Sequence, residues 1–202
     1  MAIVLAAVAA LAPGAHAAHA RKRPTCFPKG SHTIAINGTV RVFAVRKTVG
    51  HARLTYGCLL KRKKPVKFFQ PDFPTGYGPL AVAAPYIAYG AYGDCAASFC
   101  NPNSVVVQDL RSGGRATPVN ATMSIAEVRS LVLTPTGSVA WIGTTFDPTG
   151  NIVPGYTVAK SEHGAPPVVL ESSADIDPES LALAGSTLYW LSGVSAKSAT
   201  LG

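Results

Sequence analysis

Between Arg21 and Gln70 there is not one aspartate or glutamate, although these fifty residues hold thirteen lysines and arginines. Such a stretch cannot neutralise itself and presents a positive field to anionic partners. Other absences narrow the chemistry. Beyond residue 20 the only histidines are His32, His51 and His163, and no serine sits in a Gly-x-Ser-x-Gly elbow. His51 has no carboxylate near it in sequence, and His163 follows Glu162 in a loop-like stretch. General-base work needs an orienting partner, so all three read as surface histidines and no catalytic residue is predicted. The cysteines form no Cys-x-x-Cys pair and have no histidine at ligand spacing, which argues against structural zinc. No metal or other cofactor is expected. Helix-forming composition appears only over Thr122–Arg129, and the one long apolar run lies at the N-terminus.

The 202 residues, 48% hydrophobic, suffice for one domain with a core and exclude disorder. Nineteen glycines and sixteen prolines are spread along the chain, as in many short strands joined by turns. Met1–Ala12 is almost wholly Ala, Val, Leu and Ile, followed by Pro13-Gly14 and the small-x-small sites Ala15-His16-Ala17 and Ala18-His19-Ala20. This is the form of a secretory signal, cleaved after Ala17 or Ala20. The run is too short to serve comfortably as a membrane anchor. The expectation is a signal over 1–20 and one secreted or extracytoplasmic domain over 21–202, with no transmembrane span. Cys26, Cys58, Cys95 and Cys100 fit export as two disulfides. Cys26–Cys58 and Cys95–Cys100 are favoured among the three pairings. The first would close a loop of roughly thirty residues and contribute on the order of 3–4 kcal/mol.

What is present most clearly is a repeat. An apolar strand, a tight turn and a second apolar strand recur as Thr33-Ile-Ala-Ile-Asn-Gly-Thr-Val-Arg-Val-Phe43, Leu80–Tyr89, Leu131–Trp141 and Leu181–Trp190. Ile36, Val82, Leu133 and Leu183 are equivalent, at steps of 46, 51 and 50 residues. Periods of this length mark propeller blades and related arrays. The predicted fold is all-β, a small β-propeller or propeller-like array of about four blades over 31–70, 78–120, 127–171 and 178–202. Asn37-Gly38 predicts a hairpin through two positive-φ residues. The last blade is incomplete, closed by the N-terminal segment around Arg23–Pro28 or by a second molecule. Tyr89, Trp141 and Trp190 recur at one place and predict packing between blades.

On these strand–turn–strand cores, above all Leu131–Trp141 and Leu181–Trp190, the chain resembles bacterial secreted β-propeller proteins of TolB-like and WD-like architecture. The Gly-His to Trp-Asp signature of WD repeats and the double glycine of kelch repeats are missing. The resemblance implies a fold and no activity.

Function is sought where the repeats differ. The basic block is densest at Lys61-Arg62-Lys63-Lys64, with Arg53 and Lys67. It predicts an anion-binding face for a cell-surface polymer such as an acidic polysaccharide, or for a protein partner. The plainer alternative is that lysines guard a sheet edge. Residues 71–202 hold ten acids against five bases, so another copy's acidic part is a further potential partner. Phe73, Tyr77 and Phe99 sit in Gly- and Pro-rich loops as ligand-loop candidates, or as caps on the core. Asp175-Ile-Asp-Pro-Glu179 and Asp147–Asn151 read as turns before calcium ligands. Asn37 and Asn120 lie in glycosylation sequons, without modification being inferred. The leading expectation is a secreted, non-enzymatic binding module. A carbohydrate-active hydrolase or lyase, needing two facing carboxylates, and a self-assembling structural repeat are the alternatives.

Overall fold

A computed structural model describes residues 25–46, 53–68, 77–91, 95–96, 99–100, 103–113, 116–119 and 123–202. The expected signal over 1–20 lies outside them. No helix occurs among the described residues, and every strand pairing is antiparallel. Sheet 1 contains β1 (Ser31–Ile36), β2 (Val40–Arg46), β3 (Arg53–Leu59) and β4 (Lys64–Lys67) in chain order. Sheet 2 contains β5 (Tyr77–Ala83), β6 (Tyr86–Ala91), β9 (Ser104–Asp109) and β10 (Ala116–Pro118). A small hairpin of β7 (Cys95–Ala96) and β8 (Phe99–Cys100) is inserted between β6 and β9. Sheet 3 contains β11 (Ile125–Leu133), β12 (Val139–Thr145), β13 (Tyr156–Ser161) and β14 (Val168–Ser173). Sheet 4 has three strands, β15 (Ala182–Ala184), β16 (Thr187–Ser192) and β17 (Ser195–Thr200).

The short stretch of helix-forming composition, Thr122–Arg129, runs into strand β11, in line with the all-β expectation. Buried Ile125 and Val128 stand three apart, a helical spacing, because register shifts between Ile125 and Glu127 and between Val128 and Ser130 interrupt the strand alternation. At the β1–β2 turn neither Asn37 nor Gly38 has positive φ. The Asn37 side chain holds the turn instead: its Oδ1 accepts the backbone N–H of Thr39 at 2.9 Å and of Val40 at 2.8 Å. This is the Asx-type alternative to a mirror-image turn.

The sheets stack face to face in chain order, because each strand alternates side chains between two neighbours. Val40, Val42 and Val66 of sheet 1 pack with Ile87, Tyr89 and Val106 of sheet 2. Ala88, Val105 and Val107 of sheet 2 pack with Val128, Val139 and Trp141 of sheet 3. Ala140, Ile142 and Val158 of sheet 3 pack with Leu188, Trp190 and Leu201. The recurring aromatics Tyr89, Trp141 and Trp190 therefore all face the preceding sheet and are buried there. Each removes about 150–250 Å² from water, worth roughly 4 kcal/mol or more at about 25 cal/mol/Å². Gly143 lets β12 approach β11: a Cβ there would stand 2.2 Å from the Glu127 carbonyl oxygen.

Phe43 is the equivalent aromatic of the first repeat, and among the described residues no sheet precedes it. Its cover is the segment Thr25–Gly30, a flap pinned by the Cys26–Cys58 disulfide. Arg41 is buried beneath the flap. Its guanidinium donates to the Cys26 carbonyl, to Thr33 Oγ1 at 2.7 Å and to Ser31 Oγ at 3.1 Å. It lies between the rings of Phe27 and Phe43, 4.6 and 4.8 Å from their centroids. Because the flap is tied to sheet 1, its described residues add no strand to sheet 4. The sheets form an open stack, not a closed ring.

Candidate functional site: a cationic turn on sheet 1

The edge of sheet 1 is β4, Lys64-Pro65-Val66-Lys67, with Val66 buried and both lysines exposed. Proline offers no ladder donor, and charged side chains discourage pairing. The edge-guarding reading thus accounts for Lys64 and Lys67 on its own. The preceding turn asks for more. Leu60 N–H is bonded to the Thr39 carbonyl, and the Leu59 carbonyl accepts Arg62 N–H at 3.0 Å and Lys63 N–H at 3.1 Å. Lys63 has φ of 53°. The tight reversal forces Lys61, Arg62, Lys63 and Lys64 outward together, and all four are exposed.

The turn meets sheet 2. Arg62 Nη1 donates to the Arg111 carbonyl at 2.8 Å. Arg111 is paired with Asp109 at 2.8 Å and lies over the Tyr86 ring, 5.4 Å from its centroid. Burial pushes the Asp109 carboxyl up, but hydrogen bonds and charge from Arg111, with Arg62 adding, outweigh it and hold the group below the ordinary carboxylate range. Two cations, Arg111 and Arg62, therefore act on one acid that Arg111 already pairs, and Lys61, Lys63 and Lys64 stand on the same turn as Arg62. Sequence reasoning missed Arg111, which lies 49 residues from Arg62. Only the stacking of sheet 1 on sheet 2 unites them, and no linear pattern carries that signal.

The other predicted cations are spread out. Lys67 stands along β4, and its carbonyl accepts from Gln108 Nε2 at 2.8 Å. Arg53 begins β3 opposite Arg46, so seven residues, roughly 20 Å of strand, separate it from the turn; its side chain lies outside the described residues. At that far end a cavity of about 370 Å³ is lined by Gly30, His32, Ala44 and Arg46.

Of the ligand-loop candidates, Phe73 lies outside the described residues. Tyr77 and Phe99 belong to β5 and β8, with their side chains likewise outside. Cys95 and Cys100 face each other in the β7–β8 ladder, and their side chains too lie outside. His51 and Asn120 are outside; His32 and His163 are placed, and His163 is exposed on a turn with φ of 52°. Asp147 Oδ1 accepts from Thr149 N, Thr149 Oγ1 and Asn151 N, which holds its carboxyl below the ordinary carboxylate range. Asp177 Oδ1 accepts from Glu179 N at 3.0 Å. Both acids thus shape turns, as their spacing predicts.

No protein-family model and no curated protein matches the chain.

Proposed function

We propose that the protein is a non-enzymatic binding module of the cell exterior that holds an anionic surface polymer through the β3–β4 turn. One observation carries this reading: Lys61, Arg62, Lys63 and Lys64 leave one exposed turn together, beside Arg111, whose partner Asp109 is already paired. Edge protection needs one or two lysines on β4 and leaves the turn unexplained. A Cys26–Cys58 disulfide fits an oxidising compartment. Among the described residues no helix is long and apolar enough to cross a membrane. The four sheets serve as the rigid platform, in a propeller-like arrangement that a partner or further sheets would complete.

The test is retention on heparin and on anionic vesicles. Each basic residue near an anionic surface contributes about 1 kcal/mol. Changing Lys61, Arg62, Lys63 and Lys64 to glutamine should therefore weaken vesicle binding several-hundredfold at low salt. Heparin elution should move to clearly lower salt. Unchanged retention on both matrices would defeat the proposal.

A further inference from the structure

The two ends of the stack carry complementary chemistry. In β16, Leu188 and Trp190 face sheet 3 and are buried, so Tyr189 and Leu191 face away, 43% and 42% exposed. Their ladder partners are Ala182, Ser198 and Ala196, which leaves this outward row free of charge. Asp175 and Asp177 flank the buried Ile176, which bridges to Ser192. Both aspartates are exposed, next to the strand end at Leu191, whose carbonyl accepts the Asp177 N–H at 3.0 Å. Among the described residues neither carboxylate forms a salt bridge. Residues 171–202 hold four acids and one base, Lys197. Lys197 lies opposite Trp190, on the inward row, and its charge acts on Glu171.

At the other end, Phe27 is 62% and Ile36 57% exposed. Ile36 pairs with Arg41 on the outward row of sheet 1, and Lys29 is exposed in the flap. The whole of 21–70 around them lacks acids.

The outward face of sheet 4 differs in chemistry from those of the other three sheets. Where sheets 1, 2 and 3 turn Val42, Ala88 and Ala140 toward the following sheet, all fully buried, sheet 4 has Tyr189. A ring with a hydroxyl suits a partly wet interface. We propose that its occupant is the flap end of a second copy of this chain, joined head to tail. Tyr189 and Leu191 meet Phe27 and Ile36, and Asp175 and Asp177 face the cationic flap end. Sheet 4 against sheet 4 would instead bring acids to acids, which costs affinity and specificity. A head-to-tail contact closes into a ring when its rotation allows and otherwise continues as a chain. The contact does not use the β3–β4 turn, so failure of polymer binding would leave it standing.

Sedimentation velocity of the full chain over a range of concentration and salt provides the test. The wild type should exceed one copy and dissociate as salt rises. Leu191→Asp and Ile36→Asp, at opposite ends and both exposed, should each sediment as one copy. Their equimolar mixture should recover a two-copy species, since each retains one intact end. Asp175→Asn with Asp177→Asn, which keeps the acceptor for Glu179 N–H, should weaken association at least tenfold at low salt without touching apolar packing. A wild type that stays single at every concentration overturns the proposal. So does an Ile36→Asp variant that assembles normally, or a mixture that stays single.

Discussion

Replacing Cys26 and Cys58 together by alanine removes the clasp that holds the flap on sheet 1, and the cost can be worked from position and burial. The two residues are 32 apart. Freeing a loop of that length returns about 3.7 kcal/mol of chain entropy to the unfolded state at 25 °C. The packing loss adds to this. Cys58 is fully buried and Cys26 is 3% exposed, among Phe43, Tyr56 and Leu60. Two small voids where the sulfurs stood cost about 1 kcal/mol more. The total, about 4–5 kcal/mol, corresponds to a fall in melting temperature of roughly 10–15 °C for a domain of this size. Urea unfolding of the double variant against wild type measures it, with the slope reporting whether the same surface is exposed. The variant is preferable to adding reductant, which would act on Cys95 and Cys100 as well. A loss under about 1 kcal/mol would refute the reasoning, because it would mean the flap detaches without weakening the sheet whose Phe43 and Arg41 it covers.

Two further outcomes follow from the sheet contacts. Gly143→Ala places a Cβ 2.2 Å from the Glu127 carbonyl oxygen, a backbone atom that cannot swing away; urea unfolding should show a loss of about 3 kcal/mol, and an unchanged midpoint would contradict the β11–β12 approach. Glu171 is held below its ordinary value of 4.5 by the Ser192 hydroxyl first and the Trp190 indole second, against a push from burial. Its Oε2 accepts Trp190 Nε1–H at 2.6 Å. Because the folded carboxyl is the stronger acid, this stabilisation is present above pH 4.5 and is lost as pH falls through the folded value. Trp190→Phe should therefore lose about 1 kcal/mol at pH 7 from this bond, discounted for the partial exposure of Glu171, on top of a pH-independent packing loss from the smaller ring. That difference should shrink below pH 4.5; a difference constant with pH would exclude the indole–carboxylate bond as its source.

The sheets were legible because their signal is local. Alternation over four to seven residues, bounded by Gly, Pro and Asn, marked the four strand–turn–strand cores in the right order and placed Tyr89, Trp141 and Trp190 between sheets. The Cys26–Cys58 pairing was legible from cysteine count and spacing. What escaped was whatever depends on two segments meeting. The β7–β8 hairpin is only two residues on each side, too short for any period to show. The side chain of Asn37, not its backbone freedom, closes the first turn. Arg111 joins the lysine turn only through the stacking of two sheets.

Arg41 shows most directly why the basic block could not be read as one surface. In sequence it is one of thirteen cations without an acid nearby. In the fold it is buried, and two aromatic rings, a carbonyl and two hydroxyls satisfy it in place of a carboxylate. Burying a guanidinium costs several kcal/mol unless its donors are met, and the flap supplies one of those acceptors and one of the rings. The positive charge at this position therefore belongs to the cap on sheet 1. At the turn Arg62 spends one donor on the Arg111 carbonyl, and all four side chains, Lys61, Arg62, Lys63 and Lys64, stay exposed. Removing the block's charge site by site should accordingly split it in two: stability should fall at Arg41, and polymer retention should fall at the turn.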